Sequence, residues 1–400
     1  MNTEYGHLTY CSNIHPGQSW AEHFQSLQDN IPFIREQLAP GKPFALGLRV
    51  ANEASLELSR PAVMDAFKTW LAAQNVYVFV INGFPYGGFH NTVVKDDVHT
   101  PDWTTRDRLQ YTIRLFRILS ELLPEGMHGG VSTPPLSYRL WWNTPAEREE
   151  AEGAAMSHIM ELLDELISIE KEKGQLMHLD IEPEPDGLLD NIGEFITWYR
   201  KTLLPVATAY LTEKYGVSED AARELIFKHI QLCYDICHAA VGYEDPETLI
   251  QELEETGIQV GRIQVSSALR VDFSSEKEIK RKAIETFNEP VYLHQVVARE
   301  HDGSTTHYPD LNEALEGWSE DQQEWRVHFH VPLFIQSYGV LDSTQGDIVK
   351  TLALQKQKPF SAYMEVETYT WGVLPEDIQK PIGESIVREL QWVEQILNHE

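Results

Sequence analysis

Three short segments place acidic side chains two residues apart in apolar surroundings. In the stretch 177–186, MHLDIEPEPD, His178, Asp180 and Glu182 alternate with Leu179 and Ile181. Side chains two apart in a strand point to the same face, so the three ionisable groups share one face and Pro183 ends the strand just past Glu182. In 363–368, YMEVET, Glu365 and Glu367 share a face opposite Met364 and Val366, with Glu367 nearer the strand end. In 232–238, LCYDICH, Asp235 closes a buried run and His238 follows three residues later. Burying such groups is costly unless they are paired or bind a cation. Carboxylate and imidazole donors suit Mn²⁺, Mg²⁺, Fe²⁺ or Zn²⁺, and soft thiolate chemistry is not indicated. A divalent ion there could polarise a carbonyl or activate a water. Glu182 and Glu367, on separate strands, could then serve as base and acid in a proton transfer.

Further histidines lie where loops or hairpins are expected. His328 and His330 in VHFHV share a face at a chelating spacing, and His294 sits in YLHQV. His15 follows the first strand in NIHPG, and His90 closes the glycine-rich stretch NGFPYGGFH at 82–90. Phe84 in that stretch is a candidate apolar wall for a ligand, with His15, His90 and His294 as candidate substrate contacts.

The elements that must position these groups alternate along the chain. Strand patterns occur at 8–14, 44–50, 76–81, 130–133, 176–181, 231–236, 262–267 and 362–366, and amphipathic helices lie between them. Thr144, Pro145 and Glu147 form a capping box with proline at the first helical position. Alternating strands and helices predict an α/β chain with a parallel sheet, and eight units predict a (β/α)₈ barrel, whose sites lie at the C-terminal ends of the strands. One domain over 1–400 is expected. Strand-like, histidine-bearing runs at 291–299 and 325–335 predict an inserted, β-rich loop or hairpin over 288–336, near the barrel mouth and before the last strand.

Composition narrows the partners. The chain has 400 residues, 32 Lys+Arg against 62 Asp+Glu and a net charge of −30. That field repels nucleic acid and anionic lipid. Three cysteines, Cys11, Cys233 and Cys237, do not make a disulfide scaffold. Residues 1–9 lack a basic stretch followed by an apolar run, and no apolar run is long enough to span a membrane. A cytoplasmic protein working on a small molecule is the expectation.

The order Glu182, Asp235-x-x-His238 and Glu367-Thr368 on the fifth, sixth and eighth strands resembles the xylose-isomerase-like superfamily of barrels. That group includes sugar isomerases, ketose epimerases and nucleases of the endonuclease IV type. The resemblance implies a metal set of Glu182, Asp235, Glu367 and a seventh-strand ligand, where Gln264 stands in place of the usual histidine. In the nuclease branch a loop Asp-x-His supplies ligands, and His328-Phe-His330 occupies a similar place, with His15 matching a first-strand histidine. Longer motifs resemble the metabolite-traffic protein EboE family: LTYCSNIHPG at 8–17, NGFPYG at 82–87, QVSSAL at 264–269, VHFHVP at 327–332 and EVETYTW at 365–371. That likeness implies a role in bacterial operons that move a small metabolite or its precursor towards the cell envelope, with other proteins of the operon as partners. Three functions stay open: a metal-dependent isomerase or epimerase of a polyhydroxylated molecule, a metal-dependent hydrolase or phosphoesterase, and a metabolite-binding barrel without chemistry.

Overall fold

The computed structural model describes residues 1–88, 95–372 and 381–398. Its centre is a parallel sheet of eight strands: β1 (Gly6–Tyr10), β2 (Phe44–Arg49), β3 (Val76–Asn82), β4 (Gly129–Thr133), β5 (Met177–Ile181), β6 (Ile230–Asp235), β7 (Val260–Val265) and β8 (Tyr363–Val366). From β2 onward each pairs with the next, and β8 pairs with β1 in parallel register, Glu365 opposite Thr9. The last seam, β1 to β2, is closed by a parallel bridge between Cys11 and Gly47. The Thr9 hydroxyl reinforces it, donating to Ala45 O at 2.8 Å and accepting from Gly47 N at 2.9 Å. The chain is therefore an α/β (β/α)₈ barrel. Nearly every strand residue is buried, as expected for strands covered by helices outside and side chains inside.

Local signals in the sequence set the surrounding helices. Thr144 and Glu147 cap Pro145–Lys173 reciprocally, and Gly174, at φ 68°, ends it. Ser19 and Glu22 do the same for Trp20–Leu38. The predicted helix over 190–215 is three pieces, Ile192–Trp198, a π turn Tyr199–Leu203 and Leu204–Tyr215, with Pro205 interrupting the regular hydrogen-bond ladder. Among the described residues no helix is long and apolar enough to cross a membrane.

Between β7 and β8 lies a six-stranded antiparallel sheet, in the order Thr305–Tyr308, Val296–Glu300, Gln322–Val327, Leu269–Asp272, Leu341–Ser343, Ser337–Tyr338. Strands on both sides of 288–336 belong to it, since Leu269–Asp272 follows β7 directly and pairs with both Gln322–Val327 and Leu341–Ser343. The expected strands at 291–299 and 325–335 are displaced. The first begins at Val296, and the second ends at Val327. The backbone from His328 to Val331 leaves the ladder because it bonds elsewhere: His328 N reaches Gln295 O at 2.9 Å and Val331 N reaches Ser267 O at 2.9 Å. This departure carries His328 and His330 to the C-terminal end of the barrel.

Candidate metal centre

The barrel interior carries charge at two levels. At the lower level Arg262 on β7 crosses the interior, with Nε 3.0 Å from Asp180 Oδ2 and Nη1 2.9 Å from Glu365 Oε2. Its remaining donor reaches Ile81 O at 3.2 Å and Gly130 O at 2.8 Å. Burial opposes the charge on Arg262, but Glu365 and Asp180 outweigh it and hold the guanidinium above its ordinary value. Glycines make the room. A Cβ on Gly130 would lie 2.2 Å from Asp180 Oδ2, and one on Gly261 2.0 Å from Asp180 Oδ1. Both oxygens of Asp180 are thus bonded, to His178 and Arg262, and Glu365 is held through Oε2 alone, its Oε1 having no partner among the described residues.

Two residues further along the same strands, among the described residues, no lysine or arginine bonds to the carboxylates of the upper level. Glu182, Asp235 and Glu367 each bring a carboxylate oxygen within 4.8 Å of the others, and all three are buried. The β7 residue at this level is Gln264, which is neutral. Burial, then Glu367 and Asp235, push Glu182 well above the usual carboxylate range; burial, then Asp235, do the same to Glu367. Glu367 is held by three amides: Asn13 Nδ2 at 2.7 Å and Asn82 Nδ2 at 2.9 Å on Oε1, and Gln264 Nε2 at 3.0 Å on Oε2. Asp235 Oδ1 caps Ile236–Val241 through His238 N at 3.1 Å and accepts from Ser266 Oγ at 2.6 Å. Glu182 Oε2 and Asp235 Oδ2 find no protein hydrogen-bond partner among the described residues. Buried carboxylate oxygens normally have partners, so these two are available to a cation.

Three imidazoles complete the picture. His238 Nδ1 lies 3.0 Å from Pro183 O, His328 Nδ1 2.8 Å from Gln295 Oε1, and His330 Nδ1 2.8 Å from Glu367 O. Each acceptor is an oxygen, and Gln295 is oriented by its own Nε2 bond to Pro185 O at 3.0 Å. In the neutral form of each ring Nδ1 therefore carries the proton and Nε2 presents a lone pair. Burial, then the neighbouring imidazoles, hold His328 well below the usual histidine range; burial also lowers His330. His238 Nε2 and His328 Nε2 face each other at 3.2 Å. His330 Nε2 has no partner among the described residues. Fixing a histidine tautomer through an oxygen acceptor is how metal ligands are oriented. The residues present fit a divalent ion: Glu182, Asp235 and Glu367 form one donor group, Asp235, His238 and His330 another, and Glu184, His238 and His328 a third.

Several residues expected from the sequence come together here. Glu182, His238, His328, His330, Glu367 and Phe84 line one cavity, joined by Asn13, Asn82, Glu184, Gln295, Tyr292 and Tyr369. Its free volume is about 60 Å³, room for an ion and a few waters. Others lie elsewhere. Gln264, expected as a ligand, stands beside the cluster: its amide donates to Glu367 and its carbonyl accepts from the Cys233 thiol at 2.9 Å, so no lone pair faces the carboxylates. His15 does not line the cavity, and its Nε2 lies 2.8 Å from the Tyr10 hydroxyl. His294 faces Glu289 at 3.3 Å and stacks on Phe329, outside the cavity lining. His90 lies outside the described residues. The sequence reading passed over Glu184, Asn13, Asn82 and Gln295. Glu184 carried a signal, since it continues the two-residue spacing of His178, Asp180 and Glu182; it sits 2.7 Å from His99 Nε2.

No protein-family model matches the sequence, and comparison with curated proteins finds no match. Solved structures similar to the chain include a xylose isomerase-like TIM barrel protein from Mycobacterium smegmatis in complex with magnesium, at 10% identity over 97% of this chain and 98% of that one, with a TM-score of 0.48. The IOLI protein with a binding zinc atom matches at 10% identity over 98% and 97%, with a TM-score of 0.47. The probable 3-DHS dehydratase AsbF involved in petrobactin synthesis from Bacillus anthracis matches at 12% identity over 97% and 98%, with a TM-score of 0.43.

Proposed function

We propose that the chain is a divalent-metal-dependent enzyme that moves a proton between neighbouring carbons of a polyhydroxylated small molecule, the chemistry of sugar isomerases and epimerases. One observation carries this reading: among the described residues three buried carboxylates converge with no lysine or arginine bonded to them, beside three imidazoles held through Nδ1 by oxygen acceptors. When bound, the ion supplies polarisation of a carbonyl or hydroxyl oxygen. Glu182, Asp235 and Glu367 would hold it, with His238 as a further ligand. Glu367 is anchored by Asn13, Asn82 and Gln264 and serves as a fixed ligand. Glu182, whose Oε2 has no protein partner among the described residues, takes the proton from carbon and returns it; its raised affinity for protons suits that task. Phe84, Pro85 and Val98 form an apolar wall that excludes water.

The motifs shared with the metabolite-traffic family supply the setting we favour. The protein works in the cytoplasm, beside other products of its operon, on a metabolite or precursor bound for the cell envelope. A net charge of −30 argues against nucleic acid as substrate. A second reading, hydrolysis of a phosphoester, draws on the extra donor group Glu184, His238 and His328, which gives room for a second ion as in two-metal hydrolases.

Proton transfer is tested by incubating the Mn²⁺-loaded protein with ketoses and aldoses in D₂O and following deuterium into carbon-bound positions. Incorporation that disappears in Glu182→Gln supports the reading. Phosphate release from phosphoesters, with no deuterium incorporation into any sugar, supports hydrolysis instead.

A further inference from the structure

We propose that Cys237, His328 and His330 hold a second divalent ion of the zinc class, at the edge of the carboxylate centre. The Cys237 sulfur and one ring nitrogen of each histidine lie within 4.8 Å of one another, and all three residues are buried. Zinc bonds to sulfur at ~2.3 Å and to imidazole at ~2.0–2.1 Å in tetrahedral geometry, so its donors stand about 3.4–3.6 Å apart. The group therefore closes by up to roughly 1.4 Å when it takes the ion. His330 Nε2, 99% buried by its 1% exposure, has no partner among the described residues. The Nδ1 proton of His328 is committed to Gln295, so its lone pair is on Nε2.

The position of Cys237 is fixed by the same elements that fix the carboxylates. It is the second residue of Ile236–Val241, whose N-cap is Asp235. Its backbone N–H donates to Ser266 Oγ at 3.0 Å, and that hydroxyl donates to Asp235 Oδ1. One serine thus ties the thiol's backbone to a carboxylate ligand. Cys233 differs, because its thiol is spent on Gln264.

Donor chemistry separates the two positions. Oxygen donors accept magnesium and manganese, whereas thiolate with imidazole selects zinc and its softer relatives. The inference rests on the metal-centre reading for its neighbourhood but makes its own demand, a metal–sulfur bond.

Cobalt(II) is the probe, since it occupies zinc sites and absorbs in the near ultraviolet through charge transfer when a thiolate binds it. Added to the metal-free full-length protein, Co²⁺ should give that band at one equivalent. The band should vanish in Cys237→Ser with the loss of one equivalent, and persist in Cys233→Ser. In Glu182→Gln it should persist while the other equivalent is lost. Cobalt bound to wild type without the band overturns the inference and leaves the carboxylate centre standing; this outcome needs no variant to fold. A band that survives Cys237→Ser overturns it too. No cobalt bound to any form overturns both.

Discussion

Glu182, Asp235 and Glu367 crowd three carboxylates into one buried space, so replacing Glu182 by glutamine should raise the stability of the metal-free protein and abolish its stabilisation by metal. Two ionised carboxylates with oxygens within 4.8 Å of each other repel by about 3 kcal/mol or more at an effective dielectric constant of about 20. The unfolding entropy of a 400-residue chain is roughly 0.8 kcal/mol/K, so that energy is worth about 4 °C in Tm. The size depends on pH with a definite sign. Burial and the neighbouring carboxylates raise the proton affinity of Glu182 in the folded state. Below the unfolded carboxylate range the group is protonated in both states and the penalty is absent; it grows as pH rises towards the folded value. The gain from Glu182→Gln should therefore be small near pH 5 and approach its limit at pH 8. With metal at a hundred times its Kd, wild type gains about 2.7 kcal/mol, near 3 °C, and the variant far less. Differential scanning fluorimetry with EDTA and with Mn²⁺, at both pH values, reads all four numbers. A variant that is less stable without metal, or that keeps the full metal shift, refutes the reasoning.

Gln295→Leu should weaken binding of the ion proposed beside Cys237 about 10–100-fold in calorimetric titration, because it removes the acceptor that fixes the His328 tautomer; unchanged affinity would take His328 out of that site. Gln264→Ala should weaken metal binding at the carboxylates about tenfold by freeing one oxygen of Glu367, and it should not alter stoichiometry, since Gln264 is a support and not a ligand. Arg262→Met should cost about 3–5 kcal/mol in chemical denaturation by stranding Asp180 and Glu365, and a loss under 1 kcal/mol would contradict the two-level arrangement. Glu389, pushed up to about 7 chiefly by burial, lowers stability as pH rises from about 4.5 through 7; Glu389→Gln should flatten that fall by about 3 kcal/mol between pH 5 and pH 8.

The barrel was legible because strands covered on both sides are short apolar runs, and the helices between them carry caps in their own sequence. The rim carboxylates Glu182, Asp235 and Glu367 were legible because period-two spacing and a following Pro183 mark a strand end. What separates Glu182 from Asp180, or Glu367 from Glu365, was not legible. Both pairs share a face, and the distinction is made by Arg262 reaching across the barrel from another strand. Gln264 looked like a substitute ligand because its strand position is right, but its carbonyl turns to Cys233, a contact set by the β6–β7 register. Gln295 and Asn82 act through single hydrogen bonds between distant segments, and no local pattern announces those. His294 and His328 share a histidine-bearing strand pattern. Only the ladder of the inserted sheet puts one against Phe329 and the other in the cavity.

Anomalous diffraction from crystals grown with Mn²⁺ tests the central claim most directly. The account predicts a peak among Glu182, Asp235 and Glu367, with carboxylate oxygens at ~2.0–2.3 Å from it. Saturating Mn²⁺ with no peak between these three side chains would contradict it.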